Sequence, residues 1–366
     1  MDEPDLSAKA AAGDAAAQLR LAERLAGDGR SVEALDWLAK SARNGEPQAL
    51  GQLGLRLLTG DGAPHRPAQA IGLLDDAARR GHAASAALLS VLAGGGFHAP
   101  QSWPAALDYL LRAAELGWAP AQAQLRILAG DSGAAEDRAG PDPWGRLRRA
   151  VDLQAWTSAP PVRVLNEAPL IGVVEALASP EACAWIISQS QGRLVRAEVY
   201  DAETGRTIMG ETRTNRVANF GLAETSLLNL LIQARISAAT CAPLQMMEAF
   251  AVLNYAVGEE ATEHFDYLDP SVPSYRSQIE QLGQRVATCL VYLNEGYSGG
   301  ETAFPELGLS HKGKTGDALF FFSVDRDGAP DPRTVHAGRP PTSGEKWLLS
   351  QFIRNQPRVG VEARRA

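Results

Sequence analysis

The chain is poor in cysteine, in aromatic residues and in surplus basic charge, and each shortage removes a class of protein. Its three cysteines, Cys183, Cys241 and Cys289, lie too far apart for a zinc spacing and are too few for a disulfide framework. They read as small buried hydrophobes. No run of about 18 apolar residues occurs, so no helix is expected to cross a bilayer. The start, Met1 to Ala17, is acidic and alanine-rich, without the basic and apolar regions of a secretory signal, and the expected location is cytoplasmic. A net charge of −8 argues against a partner whose phosphates select Lys and Arg, so neither nucleic acid nor membrane is expected. The one dense basic cluster, Arg146, Arg148 and Arg149, reads as a solvated helix face.

With 366 residues, 45% of them apolar, the chain is long enough for two or three domains with ordinary cores. The first third repeats itself. Gly13, Gly45, Gly81 and Gly117 are spaced by 32, 36 and 36 residues, a period that belongs to helical solenoids. Each glycine is followed by a small residue (Ala17, Ala49, Ser85, Ala121) and then a leucine (Leu21, Leu53, Leu89, Leu125). The second half of the unit keeps its own register in Ala34, Ala70 and Ala106, in Leu38, Leu74 and Leu110, and in Ala42, Ala78 and Ala114. Residues four apart share a helix face, so each unit is expected to be a helix pair, turned at breaks such as Gly60-Asp61-Gly62 and Gly94-Gly95-Gly96. These units resemble the Sel-type class of tetratricopeptide-like repeats, and the resemblance implies a surface for binding protein.

Residues 131–160 read as a linker with one helix, capped by Asp142, with Pro143 in its first turn and Trp144, Leu147 and Val151 on one side. Beyond it, a strand is expected from Leu170 to Leu177, a helix from Ser179-Pro180-Glu181, and a second helix from Leu222 to Thr240. From Met246 the pattern changes to short β-branched and aromatic runs: Phe250 to Tyr255, Val286 to Leu293, Ala318 to Ser323, Thr334 to His336 and Lys346 to Arg354. The expected architecture is multidomain α + β. An α-solenoid of helix-pair repeats (1–130) precedes a double-stranded β-helix, or jelly roll, with supporting helices (161–366).

His264 and Asp266 are separated by one residue, so on an extended segment both face the same way and can grip one ion. His336 supplies a third donor. Two histidines and one carboxylate on one face of an octahedral Fe(II) leave the opposite face open, an arrangement used by non-haem oxygenases. Zinc accepts the same donors. The feature that favours iron is Lys346: if 2-oxoglutarate chelates iron through its keto oxygen and one carboxylate, its far carboxylate needs a cation, and Tyr255 and Thr288 can each add a hydroxyl. His65, His82, His98 and His311 have no such companions.

The segment from Leu170 to Asn355 resembles the prolyl 4-hydroxylase family of Fe(II)- and 2-oxoglutarate-dependent dioxygenases. The likeness runs through Arg213-Thr214, Glu248, Tyr255, His264-Phe265-Asp266-Tyr267, Arg285 with Thr288, Tyr292-Leu293-Asn294, Gly299-Gly300-Glu301-Thr302 with Phe304-Pro305, Gly316-Asp317-Ala318, His336-Ala337-Gly338 and Gly344-Glu345-Lys346-Trp347. It implies that His264, Asp266 and His336 hold iron, that Lys346, assisted by Tyr255 and Thr288, binds 2-oxoglutarate, and that Arg213 and Glu248 contact a peptide or protein substrate. It further implies O2 as oxidant, ascorbate as reductant and a prolyl residue as target. A free amino acid or another residue as target, and a scaffold with an inactive barrel, are the alternatives. Two positions depart from the family pattern: Asn254 stands where a basic residue is usual, and Phe352 where a Trp is.

Overall fold

The structure is a computed structural model that describes residues 3–130, 142–201, 206–208, 210 and 212–357. The chain forms two compact units: Met1–Leu153 together with Leu222–Leu230, and Gln154–Gly221 together with Leu231–Val359.

In the first unit the repeat period becomes helices α1 (Glu3–Ala11), α2 (Ala15–Gly27), α3 (Ser31–Arg43), α4 (Pro47–Thr59), α5 (Pro67–Arg79), α6 (Ala83–Gly95), α7 (Trp103–Glu115) and α8 (Ala119–Leu128). The four period-marking glycines all have positive φ, between 85° and 98°, and each sits in the tight turn between two helices. The small residues of the repeat (Ala17, Ala49, Ser85, Ala121) and the Leu38, Leu74 and Leu110 set are all buried. Gly94 and Gly95 belong to α6, and the break begins only at Gly96, in the left-handed conformation. A Cβ on Gly95 would run into the Phe97 ring, so this helix end is glycine-rich for close packing.

After residues 131–141, which lie outside the described residues, come α9 (Pro143–Ala150) and a short α10 (Leu153–Thr157) that the sequence pattern did not announce. Asp142 caps α9 by accepting from the Gly145 amide, as its position suggested. In the second unit, β1 (Val162–Glu167) and β2 (Leu170–Val174) form a hairpin, and α11 (Pro180–Ser190) follows, capped by Ser179. The segment then runs through β3 (Val195–Arg196), β4 (Val199–Asp201), β5 (Arg206–Ile208) and β6 (Arg216–Asn219) to α12 (Leu227–Thr240). That last helix starts five residues later than its apolar pattern suggests. Ser226 and Asn229 build a capping box there, each side chain accepting from the other's amide.

The remaining elements are β7 (Ala251–Tyr255), β8 (Ala261–His264), α13 (Pro273–Leu282), β9 (Arg285–Tyr292), β10 (Ser298–Gly299), β11 (Thr302–Phe304), β12 (Leu309–His311), β13 (Ala318–Phe322), β14 (His336–Gly338), β15 (Pro341–Ser343) and β16 (Lys346–Arg354). An eight-stranded sheet runs β1-β2-β13-β9-β16-β7-β6-β3, and a four-stranded sheet runs β12-β11-β14-β8. This is the double-stranded β-helix expected of the segment. The strand expected from Thr334 begins instead at His336, because Pro332–Thr334 is a 3-10 turn capped by the Asp331 carboxylate. Between the sheets, Ile171, Val173, Leu290, Phe304, Phe321 and Leu348 form one apolar cluster.

Gly316 ties this barrel to the loop ahead of α11. Its φ is 88°, its carbonyl accepts from Ala178, and a Cβ placed on it would overlap the Ala178 carbonyl oxygen. Gly316→Ala should therefore lose about 3 kcal/mol of stability through strain and overpacking together. Urea unfolding measures this, and a loss below about 1 kcal/mol would show that the turn relaxes freely.

Candidate metal centre

Strand register creates the site. β14 pairs antiparallel with β8 so that His336 stands directly opposite His264, and cross-strand partners have side chains about 5 Å apart. The two imidazole centroids are 4.3 Å apart. Asp266 follows the end of β8 in a bend, so the extended spacing expected for His-x-Asp holds only as far as His264. The bend still turns the carboxylate inward: Asp266 Oδ1 lies 3.6 Å from His264 Nε2, and Oδ2 lies 3.4 Å from His336 Nε2. Among the described residues this trio is the one group of three or more His, Cys, Asp or Glu placed to hold a metal ion, with one donor atom from each within 4.8 Å of the others. Donors about 2.1 Å from a first-row ion in adjacent positions lie about 3 Å apart, so only slight contraction is needed.

Both histidines are oriented in the same way. His264 Nδ1 lies 2.7 Å from the Thr262 carbonyl and His336 Nδ1 lies 3.1 Å from the Thr334 carbonyl, two residues back in each case. A carbonyl only accepts, so each Nδ1 carries the proton and each Nε2 keeps its lone pair, which on His264 accepts from Arg213 Nη2 at 3.0 Å. Burial, followed by the nearby His336, pulls the His264 pKa down to about 4, which keeps the imidazole neutral and able to ligate. Burial by itself would raise Asp266, but His336, His264 and the Thr288 hydroxyl bring it below the usual carboxylate range.

The donor trio lines a cavity whose other wall carries Lys346, Tyr255, Thr302 and the apolar Leu253, Leu290 and Leu348. Lys346 lies opposite Tyr255 in the β16–β7 pairing, and its Nζ sits 5.1 Å from the centre of that ring. The amine is fully buried and has no hydrogen-bond partner. Burial lowers its pKa to about 7, with Glu301 opposing and Lys312 adding to the fall. A buried donor of this kind, facing a cavity with a metal-binding trio, fits an anionic ligand that reaches from the metal to the amine.

The remaining expected residues separate. Thr288 faces the same interior but donates to Asp266 Oδ2 at 2.7 Å, so it orients the carboxylate and is not beside the amine. Thr302 lines the cavity, opposite Gly338 in the β11–β14 pairing and bonded to the Tyr292 hydroxyl at 3.2 Å. The alternation of Thr302 and Phe304 on β11 was the available signal. Arg213 reaches the cavity, its Nη2 3.0 Å from His264 Nε2. Glu248 does not: its carboxylate receives Arg285 at 2.7 and 3.0 Å and Arg354 at 2.7 Å, which satisfies it away from the cavity. Arg285 in turn stacks 3.8 Å over Phe352, which does line the cavity. His311 lies on β12 opposite Thr302.

The chain matches the 2OG-Fe(II) oxygenase superfamily over residues 250–354. It is 31% identical over 207 residues to prolyl 4-hydroxylase 1 of Arabidopsis thaliana, covering 53% of this chain and 71% of that protein. Among solved structures, the viral collagen prolyl hydroxylase of Paramecium Bursaria Chlorella virus-1 is 25% identical, covering 50% of this chain and 95% of that one, with a TM-score of 0.38. A Sel1 repeat protein from Oxalobacter formigenes is 28% identical, covering 33% and 95%, with a TM-score of 0.32. The chain belongs to the prolyl 4-hydroxylase family of the 2OG-Fe(II) oxygenases. It is a 2-oxoglutarate-dependent dioxygenase, and the reaction of that class uses Fe(II), 2-oxoglutarate and O2, with ascorbate typical of the prolyl 4-hydroxylases.

Two outcomes test this geometry. Thr288→Val removes one bond from the carboxylate and should weaken Fe(II) or Co(II) binding about 10- to 100-fold in a metal titration, with the fold intact. The Lys346 amine has a folded pKa near 7 against 10.5 in the unfolded chain. Its burial therefore destabilises the ligand-free protein fully below pH 7, by an amount on the order of 4–5 kcal/mol, and this penalty fades as pH rises toward 10.5. Compared by urea unfolding at pH 6.5 and 9.5, Lys346→Met should be the more stable protein at the lower pH and lose that advantage at the higher one. A constant difference would contradict the buried free amine.

Proposed function

We propose that this enzyme hydroxylates prolyl residues in a peptide or protein, coupled to the oxidative decarboxylation of 2-oxoglutarate to succinate and CO2. The observation that carries the reading is the presence, in one cavity, of a three-donor trio and a buried amine without a partner. In this reading His264, Asp266 and His336 hold Fe(II) through two Nε2 atoms and a carboxylate oxygen. Lys346 pairs with the distal carboxylate of 2-oxoglutarate, while the Tyr255 phenol and the Thr302 hydroxyl satisfy its remaining lone pairs. Burial pushes the Tyr255 pKa up to about 12, so the phenol stays protonated and donates.

When bound, the iron and 2-oxoglutarate supply the oxidation: one oxygen atom of O2 enters a substrate C–H bond and the other enters succinate. The chain's own residues prepare that reaction. Thr288 fixes the Asp266 carboxylate, and the carbonyls of Thr262 and Thr334 fix the two imidazoles. Leu253, Leu290, Leu348 and Phe352 keep the cavity wall apolar and exclude water. Arg213, at the cavity, is the substrate contact in this reading. Glu248 acts at one remove, by holding Arg285 against the Phe352 ring. Recruitment of a polypeptide substrate falls to the helical repeats. A cytoplasmic setting suits three cysteines that remain unpaired.

The test is mass spectrometry of proline-containing peptides incubated with Fe(II), 2-oxoglutarate and ascorbate. Oxygen should be gained at proline with stoichiometric succinate, and Asp266→Ala should abolish both. Iron-dependent succinate formation with no modified proline on any candidate would sink the prolyl assignment while leaving the dioxygenase class in place.

A further inference from the structure

Helices α5 and α7 are the corresponding helices of successive repeats, each 13 residues long and offset by 36. A groove of about 540 Å³ is lined by both, with Ala78 and Ala105 as its small residues and Tyr109 half-buried between them. Its charged lining is Asp75 and Arg79 from α5, and Asp108 and Arg112 from α7. The two helices match residue for residue through Ala70 with Ala106, Leu74 with Leu110 and Ala78 with Ala114, so subtracting 36 places Asp108 at the level of position 72 and Arg112 at that of position 76. Both acids therefore lie toward one end of the groove, at levels 72 and 75. Both bases lie toward the other, at levels 76 and 79. The mean levels differ by four residues, or about 6 Å along the axes at about 1.5 Å per residue.

The charges already have partners. Arg79 reaches Asp75 at 3.2 Å and Asp76 at 3.9 Å, Arg112 reaches Glu115 at 3.8 Å, and Asp108 receives Arg148 at 2.9 Å. Most of these side chains are well exposed, and exposed pairs of this kind are worth at most about 1 kcal/mol, so a ligand can exchange them without a large penalty. Tyr109 is a rigid contact surface on the wall, its phenol pKa raised by burial and by Asp75.

An extended polypeptide places side chains i and i+2 on one face, about 6.6 Å apart, close to the axial separation of the backbone levels that carry the acids and the bases; the charged atoms, which meet at Arg79 and Asp75, part to receive it. We propose that the α5–α7 groove is a docking site for an extended peptide segment carrying opposite charges two residues apart. The segment lays its basic side chain against Asp75 and Asp108 and its acidic one against Arg79 and Arg112, with the intervening residue over Tyr109. This deepens the reading in which the repeats recruit a polypeptide substrate, and it names the chemistry they select.

The experiment uses the full chain and short, blocked, proline-free fluorescent peptides, so that binding is read independently of hydroxylation. Peptides containing Lys-Ala-Glu should bind about tenfold more tightly than those containing Lys-Ala-Lys, Glu-Ala-Glu or Lys-Ala-Ala-Ala-Glu, from two exposed pairs of up to about 1 kcal/mol each. The double variant Arg79→Glu/Arg112→Glu should transfer the preference to Lys-Ala-Lys, with thermal unfolding lowered by no more than about a few degrees and unchanged decarboxylation of 2-oxoglutarate. Equal binding of all four peptides, or a double variant with the parent's preference, overturns the proposal. So does concentration-dependent dimerisation abolished by the same substitutions, which would make a second copy of the chain the occupant. Loss of prolyl hydroxylation with the peptide preference intact would count against the enzymatic reading alone.

Discussion

An amine sealed from water without a counter-ion is among the least favourable things a folded chain can carry, and Lys346 is one. The central strand β16 buries nearly every side chain from Lys346 to Arg354 and holds the amine at its start, across from Tyr255. Strand order then determines what else shares the cavity. β16 lies between β9 and β7, so the inward residues of those neighbours, Leu290 and Leu253, form the apolar wall, and Thr288 reaches Asp266 from the same face. The ligand-free protein bears the desolvation of the amine continuously. An anion of matching length recovers it on binding.

Two buried threonines show how register divides labour. Thr288 and Thr302 are both buried, and both are one bond from another polar side chain. Thr288 reaches the Asp266 carboxylate, and Thr302 the Tyr292 hydroxyl. The sequence marks both as inward positions on strands, but the partner across the interior depends on which strands face each other, and that is tertiary information. For this reason order and spacing suffice to nominate His264, Asp266, His336 and Lys346, which the fold brings to one cavity, whereas the bond from Thr288 to Asp266 could not be read from them. Glu248 illustrates the same limit. Its carboxylate is held below the usual range because Arg285 and Arg354 outweigh its burial, and those arginines lie 37 and 106 residues away in the chain.

The solenoid was legible for the opposite reason. Its contacts are local, so a repeat period is already a statement about packing. Alanines at Ala34, Ala70 and Ala106 predict close helix approach without knowledge of the rest of the fold, and all three are buried. What the period could not supply was the end of an element, such as the left-handed cap at Gly96; outside the repeats, the capping box of Ser226 and Asn229 and the short α10 escape the apolar pattern in the same way. Those depend on a few hydrogen bonds and not on a stripe.

The cavity wall around the donor trio depends on one irregularity in the four-stranded sheet. His336 pairs with His264, but Gly338 pairs with Ala261, so two steps along β14 match three along β8. Strict alternation would send Ala261 and His264 to opposite faces, since they are three residues apart. The extra residue in β8 removes that conflict, and both residues line the cavity. It also places Arg213, bridged to Ala261, close enough for its guanidinium to reach His264 Nε2. A regular β8 would have to give up either the ligand or the bridge that positions Arg213. The bulge therefore lets one short strand hold His264 in the donor trio and the bridge to Arg213 together.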